Sequence, residues 1–434
     1  MKRRDLFICT LSLAVALPAF IMGRALVVLI DACTNLFYRG TLSTAPGAPD
    51  PGHWGVLSLF VPALGGLLVG VMARYGSKAI RGHGIPEAME QVLINESRIS
   101  AKVAWLKPLS SAIAIGSGGP FGAEGPIIAT GAALGSLLGQ HISLDGRERK
   151  LLLASGAAAG MASIFGTPLA AVLLALELLL FEFSPTAILA VGLAATAAAG
   201  LRAAWVSSAP VFAMPDVAFP GGGALCLYAA MGIPLGFVAV MVSKSLYWIE
   251  ERFEKLPLHW MFWPALAGLA VGAIGLVEPR TLGVGYSNIT ETLAGHCVGL
   301  ALLLLITLKF LSWSLALGSG TSGGTLAPLL TLGSGLGYLC TTLLAALMPQ
   351  LGLDPRIGAL VGMAALFSGC SGAPMASLVF ALEATHQIPG LLPLLAASLV
   401  AAAVARAMHP YTIMTERLGR RGLKVPHSWG APIH

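Results

Sequence analysis

The chain has 434 residues, of which 56% are apolar and 11% charged, with a mean hydropathy of +0.81 and a formal net charge of +6. This composition excludes a soluble globular protein and describes a polytopic membrane protein, because each span needs roughly 20 apolar residues and the length allows many. The positive charge gives no nucleic-acid partner: the basic residues lie mostly in short loops and at the two ends, where membrane topology accounts for them.

Lys2, Arg3 and Arg4 precede an apolar run that predicts a first helix from about Leu6 to Phe37, longer than a bilayer requires and therefore tilted. No small-residue cleavage site closes it, so it reads as a mature helix and not as a signal peptide. A polar loop from Tyr38 to His53 leads to a second span, Trp54 to about Ala73, which returns to Arg74, Lys78 and Arg81. The positive-inside rule makes that side, shared with the N-terminus, cytoplasmic. Gly82-His83-Gly84-Ile85-Pro86 then introduces Glu87 to Asn95, too short to span. Glycine followed by proline in the first turn predicts a re-entrant half-helix whose N-terminus faces an anion.

From Val103 to Ile115 the chain re-enters the membrane and reaches a glycine-rich break, Gly116 to Pro126, that carries one carboxylate, Glu124. Such a break is tolerated in a membrane only where protein or a water-filled cavity satisfies the backbone, and an ionisable residue there marks a permeation path or a proton relay. The alternative is a helix-capping glutamate in an ordinary loop. Ile127 to Ile142 predicts the next helix, and Arg147, Arg149 and Lys150 a polar boundary. Leu151 to Phe165 and Pro168 to Leu180 read as a helical pair broken at Gly166-Thr167-Pro168, and Ala187 to Trp205 ends the first half. The division expected is a first transmembrane repeat over 1–205, a linker over 206–223 and a second repeat over 224–434 with a short cytoplasmic tail.

The halves repeat. At an offset of 202 (318 − 116), Gly116-Ser117-Gly118 pairs with Gly318-Ser319-Gly320, Gly122 with Gly324 and Pro126 with Pro328. At 206 (372 − 166), Gly166, Pro168 and Glu177 pair with Gly372, Pro374 and Glu383. Repeats with interrupted helices in matching places point to a transporter-type fold with its site where the broken helices meet. Glu124 is matched by Leu326, so one loop holds a carboxylate and its twin an apolar residue. The six cysteines show no metal-site spacing, and no paired-Asp or HExxH arrangement suggests an enzyme; no cofactor or metal is expected. A cation-coupled solute transporter would want more carboxylates than the chain offers.

The ordered motifs Gly82 to Pro86, Gly122-Ala123-Glu124-Gly125-Pro126 and Gly324-Thr325-Leu326-Ala327-Pro328, with a late Tyr411, resemble the CLC family of chloride channels and chloride/proton antiporters over nearly the whole chain. The resemblance implies an all-α polytopic membrane protein of two inverted repeats of tilted and broken helices, assembled as a homodimer in the lipid bilayer with one pore per subunit. It implies Glu124 as the gating glutamate and an anion path lined by His83, Gly84, Ile85, Gly125, Thr325, Leu326, Ala327 and Tyr411. It also implies that the cytoplasmic regulatory domains of some members are absent after Tyr411. Four positions depart from the family pattern: His83 stands for serine, Ala123 for arginine, Leu326 for phenylalanine, and Leu178 for the inner proton-transfer glutamate.

Because Leu178 carries no acid, the expected function is passive or weakly proton-coupled chloride transport through a pore gated by a glutamate; the alternative is a chloride/proton or fluoride/proton antiporter. Glu177 lies one residue away, turned by about 100° on a helix and so expected to face elsewhere. Glu177 and Glu383 are expected to bond to backbone near the subunit interface, and Lys309 either to supply positive potential or to snorkel. His83 is either an anion ligand or pH sensor, or a neutral ring beside a binding N–H. The expected location is the plasma (inner) membrane, with both basic termini cytoplasmic, the C-terminal tail carrying Arg417, Arg420, Arg421 and Lys424.

Overall fold

A computed structural model describes residues 3–423 and 425, so Lys2 and Lys424 lie outside the described residues. The first half holds α1 (Arg3–Arg39), α2 (Val61–Tyr75), α3 (Ile85–Ile94), α4 (Ala101–Gly116), α5 (Glu124–His141), α6 (Gly146–Phe165), α7 (Pro168–Ala175) and α8 (Pro185–Trp205). The second holds α9 (Gly222–Ala230), α10 (Gly232–Glu254), α11 (Trp263–Val277), α12 (Tyr286–Leu293), α13 (Gly299–Gly318) and α14 (Leu326–Leu347), then α15 (Pro355–Ser371), α16 (Pro374–Thr385), α17 (Leu391–Met408) and the short α18 (Glu416–Arg420). Among the described residues, 8 helical segments are long and apolar enough to cross a membrane, and there is no strand. The protein is an integral membrane protein of two inverted repeats of tilted and broken helices.

The breaks follow from local chemistry. Gly166 closes α6 at φ 65°, a left-handed conformation glycine adopts without strain, and Pro168 restarts α7 at its first turn. Gly372 at φ 74° and Pro374 do the same between α15 and α16. Close packing uses the other glycines: α5 lies on α6 with the Gly131 and Gly156 backbones in mutual contact, and α14 on α15 with Gly333 and Gly362. A side chain at any of these four positions would overlap the facing carbonyl.

Reciprocal bonds tie the halves together. Glu177, buried at the end of α7, accepts from the N–H groups of Met375 (3.2 Å) and Ala376 (2.9 Å) at the start of α16. Its repeat partner Glu383 accepts from Leu169 (3.1 Å) and Ala170 (2.8 Å) at the start of α7. Each carboxylate caps the other repeat's helix, satisfying the orphan donors of a helix N-terminus. Two buried lysines also match: Lys107 donates to the carbonyls of Ile80 (2.8 Å) and Gly82 (2.7 Å), and Lys309 to those of Thr281 (2.9 Å) and Gly283 (2.8 Å). Lys309 therefore does not snorkel; its ammonium holds the loop that leads into α12.

Candidate functional site

α5 and α14 begin at one central point, where Gly122 and Gly324 exchange N–H to carbonyl bonds of 3.3 and 3.0 Å. Glu124 is the first residue of α5, and its side chain is completely buried. The carboxylate folds back over both glycines: a methyl group built on Gly324 would stand 3.0 Å from Oε2, and one on Gly122 would overlap the carboxyl group. Oε1 accepts from the Tyr286 hydroxyl at 3.0 Å, while Oε2 makes no full hydrogen bond among the described residues. The Ala327 N–H, in the first turn of α14, also faces the carboxyl group. The Glu124 carboxyl group is thus held at the positive ends of two helices. Thr325 precedes α14, Leu326 opens it and Ala327 follows, all fully buried, so these three and Gly125 surround the same point.

The loop before α3 meets this point from below. The His83 carbonyl lies against Gly125, and the Gly125 carbonyl against Gly84, whose φ of 99° only glycine adopts readily. Ile85 opens α3 and is fully buried. The Gly84 N–H, expected to face an anion, is taken instead by Glu87 Oε2 at 2.6 Å, and Glu87 Oε1 lies 3.3 Å from Arg417. A carboxylate three residues into the helix reaches its own N-cap as in a capping box, which the sequence reading overlooked. His83 is buried, and its Nδ1 has no partner among the described residues.

Tyr411 stands apart from this cluster. It is 37% exposed, edge-on to His409 at 6.0 Å, packed on Gly419, and makes no hydrogen bond among the described residues. It lines a cavity of about 460 Å³ with Glu177, Leu178, Arg406, His409 and Thr412. Glu177 and Leu178 share that cavity, contrary to the expectation that Glu177 faces elsewhere; α7 ends in a wider turn, Leu176–Leu180, that takes in both. A second cavity, about 530 Å³, is lined by Asp31, Ala123, Arg280, Tyr286 and Asn288 and opens beside Glu124.

Tyr286 and Lys107 escaped the sequence reading. Continuing the repeat would have found both: Gly82 and Gly84 pair with Gly283 and Gly285 at 201 (283 − 82), which sets Tyr286 against Ile85, and Lys107 pairs with Lys309 at 202 (309 − 107). The Tyr286 ring is wedged edge-on between Phe165 (5.8 Å) and Phe212 (5.7 Å), which fixes its hydroxyl on Glu124.

The family model described as voltage gated chloride channel matches residues 65–406. A relative from Ralstonia nicotianae named putative chloride channel protein ClcB-like is 29% identical over 386 residues, covering 88% of this chain and 89% of its own length. One from Vibrio campbellii named H(+)/Cl(-) exchange transporter ClcA is 30% identical over 380 residues, covering 84% and 81%. The crystal structure of a slow cyanobacterial Cl-/H+ antiporter superposes with a TM-score of 0.86 at 22% identity, covering 97% of this chain and 98% of that one. With the family model spanning most of the chain and the fold shared, the chain belongs to the voltage-gated chloride channel, or CLC, family.

Proposed function

We propose that this protein exchanges chloride for protons, with Glu124 as both the gate and the outer proton carrier. The observation that carries the reading is the burial of the Glu124 carboxylate at the N-terminal ends of α5 and α14. Charge on Glu124 competes with a permeant anion for those helix ends; a proton on it removes the competition and lets the anion in. Chloride enters through the 530 Å³ cavity on the outer side, and Gly125, Thr325, Leu326 and Ala327 surround it once the carboxylate has left. His83, Gly84, Ile85 and Tyr411 line the path inward, where Gly84 exchanges its bond to Glu87 for one to the anion. The relatives named as exchange transporters favour coupling over the passive conduction first expected.

Leu178 favours a second reading, passive chloride conduction, because an apolar side chain relays no proton. Purified protein in liposomes separates the two. An imposed chloride gradient that drives protons uphill supports exchange, and chloride efflux without proton movement refutes it; fluoride in place of chloride tests the choice of anion. The reading includes a homodimer in the plasma (inner) membrane with cytoplasmic termini. The symmetry-related α8 and α17 present exposed Ile188, Leu189, Leu193, Leu392 and Leu399, which suit burial against a second copy or lipid.

A further inference from the structure

We infer that His409 and Glu416 form the inner proton-loading site, in place of the acid that Leu178 lacks. The inference rests on the exchange reading above. The 460 Å³ cavity runs from Glu177 and Leu178 to Arg406, His409 and Tyr411, so water reaches the place where the acid is missing. Glu177 borders the cavity, but its two oxygens are committed to the N–H groups of Met375 and Ala376.

Glu416 is committed on one side alone. It opens α18, is 6% exposed, and its Oε1 accepts from Arg420 Nε (3.1 Å) and Nη2 (2.7 Å). Oε2 stands 3.5 Å from His409 Nε2, and neither atom has a hydrogen-bond partner among the described residues. Two buried polar atoms left bare and facing each other are costly unless a proton or water completes them. His409 closes α17 and lines the cavity with a side chain that is 21% exposed, so it is the member that water reaches; Glu416 lies behind it as the counter-charge. An imidazole ring can take a proton at one nitrogen and hold one at the other, and a carboxylate behind it orients the ring.

Other charges bear on the pair. Arg406 is on the cavity wall, Arg420 is bound to Glu416 and to Glu251 (2.6 Å), Tyr247 lies under the Arg420 guanidinium, Tyr411 is edge-on to the ring, and Glu177 borders the far end. In the step itself a proton from cytoplasmic water binds the His409 ring on its cavity side, which leaves the buried Nε2–H facing Glu416 as an ion pair, and the proton then leaves to water in the cavity. Onward transfer of the proton to Glu124 removes the charge of its carboxylate. No covalent bond of the protein changes other than these N–H and O–H bonds.

The test uses the full chain in liposomes, with chloride and proton movement recorded together for His409→Gln, Glu416→Gln and the double variant. Protons moved per chloride should fall about ten-fold or more in each, the scale on which a positioned proton-transfer group acts, with chloride flux retained. The double variant should be no worse than the singles. The parent's proton flux should vary with internal pH, and that variation should be lost in His409→Gln. An unchanged ratio in both single variants overturns the assignment, as does a loss of chloride flux in step with proton flux, which would mark a structural role. A parent that moves chloride but no protons refutes the exchange reading and this inference with it; a coupled parent with indifferent variants refutes the inference alone.

Discussion

Replacing Tyr286 by phenylalanine removes one hydroxyl and little else, because Phe165 and Phe212 hold the ring edge-on and a phenylalanine fills the same space. What is lost is the 3.0 Å bond to Glu124 Oε1. A hydrogen bond to a charged acceptor contributes about 1.5–3 kcal/mol, or about 10- to 150-fold in an equilibrium. Under the proposed competition, that is the factor by which the carboxylate holds the helix ends less well against chloride. Half-saturating external chloride, measured by flux into liposomes at neutral pH, should fall about ten-fold or more. At acidic external pH, where Glu124 is neutral and no longer competes, parent and variant should converge. A variant with the parent's half-saturation at neutral pH would refute the reasoning, and so would a shift of equal size at both pH values.

Glu124→Gln should carry chloride at a rate nearly independent of external pH and move no protons; a retained pH response would put the gate elsewhere. Glu177→Leu strips the Met375 and Ala376 N–H groups of their acceptor and should destabilise by about 1–3 kcal/mol per bared donor, read as a lower melting temperature in detergent; Glu383→Leu should match it. In the loop after α11, hydrogen bonds from Arg280 hold the Glu278 carboxyl below the usual carboxylate range. A carboxylate whose folded pKa is depressed stabilises above its unfolded pKa and stops doing so as pH falls through the folded value. The parent should therefore lose a step of thermal stability below about pH 4 that Glu278→Gln lacks, worth under about 1 kcal/mol because Arg280 is part exposed. An identical acid profile for the two would discount the pair.

The helix plan was legible wherever glycine and proline punctuate it. Gly166 to Pro168, Gly82 to Pro86 and the glycine break before Glu124 each stand where a helix stops or starts, because those residue types act on their own backbone. Charge partners were not legible. By sequence Lys309 either supplies positive potential or snorkels, although its ammonium donates to two carbonyls nearly thirty residues earlier in the chain. Glu87 read as an ordinary helix residue, although it occupies the N–H assigned to an anion. Nothing in a pattern of apolar spacing reports on such long-range bonds. The repeat also leads to Tyr286, once it is followed 31 residues (116 − 85) toward the N-terminus, at an offset of 201 (286 − 85).

The exchanged caps of Glu177 and Glu383 bear on how the protein is made. When α7 first enters the bilayer, its Leu169 and Ala170 N–H groups lack their acceptor, which lies 214 and 213 residues further along the chain. At about 5–20 residues per second, the ribosome needs roughly 10 to 40 s to deliver it. For that interval the first half must find water, lipid headgroups or a chaperone for an unfinished helix end, and α16 on emerging closes both halves at once. A chain split at the linker should therefore yield two fragments that survive when synthesised together and are degraded when synthesised alone.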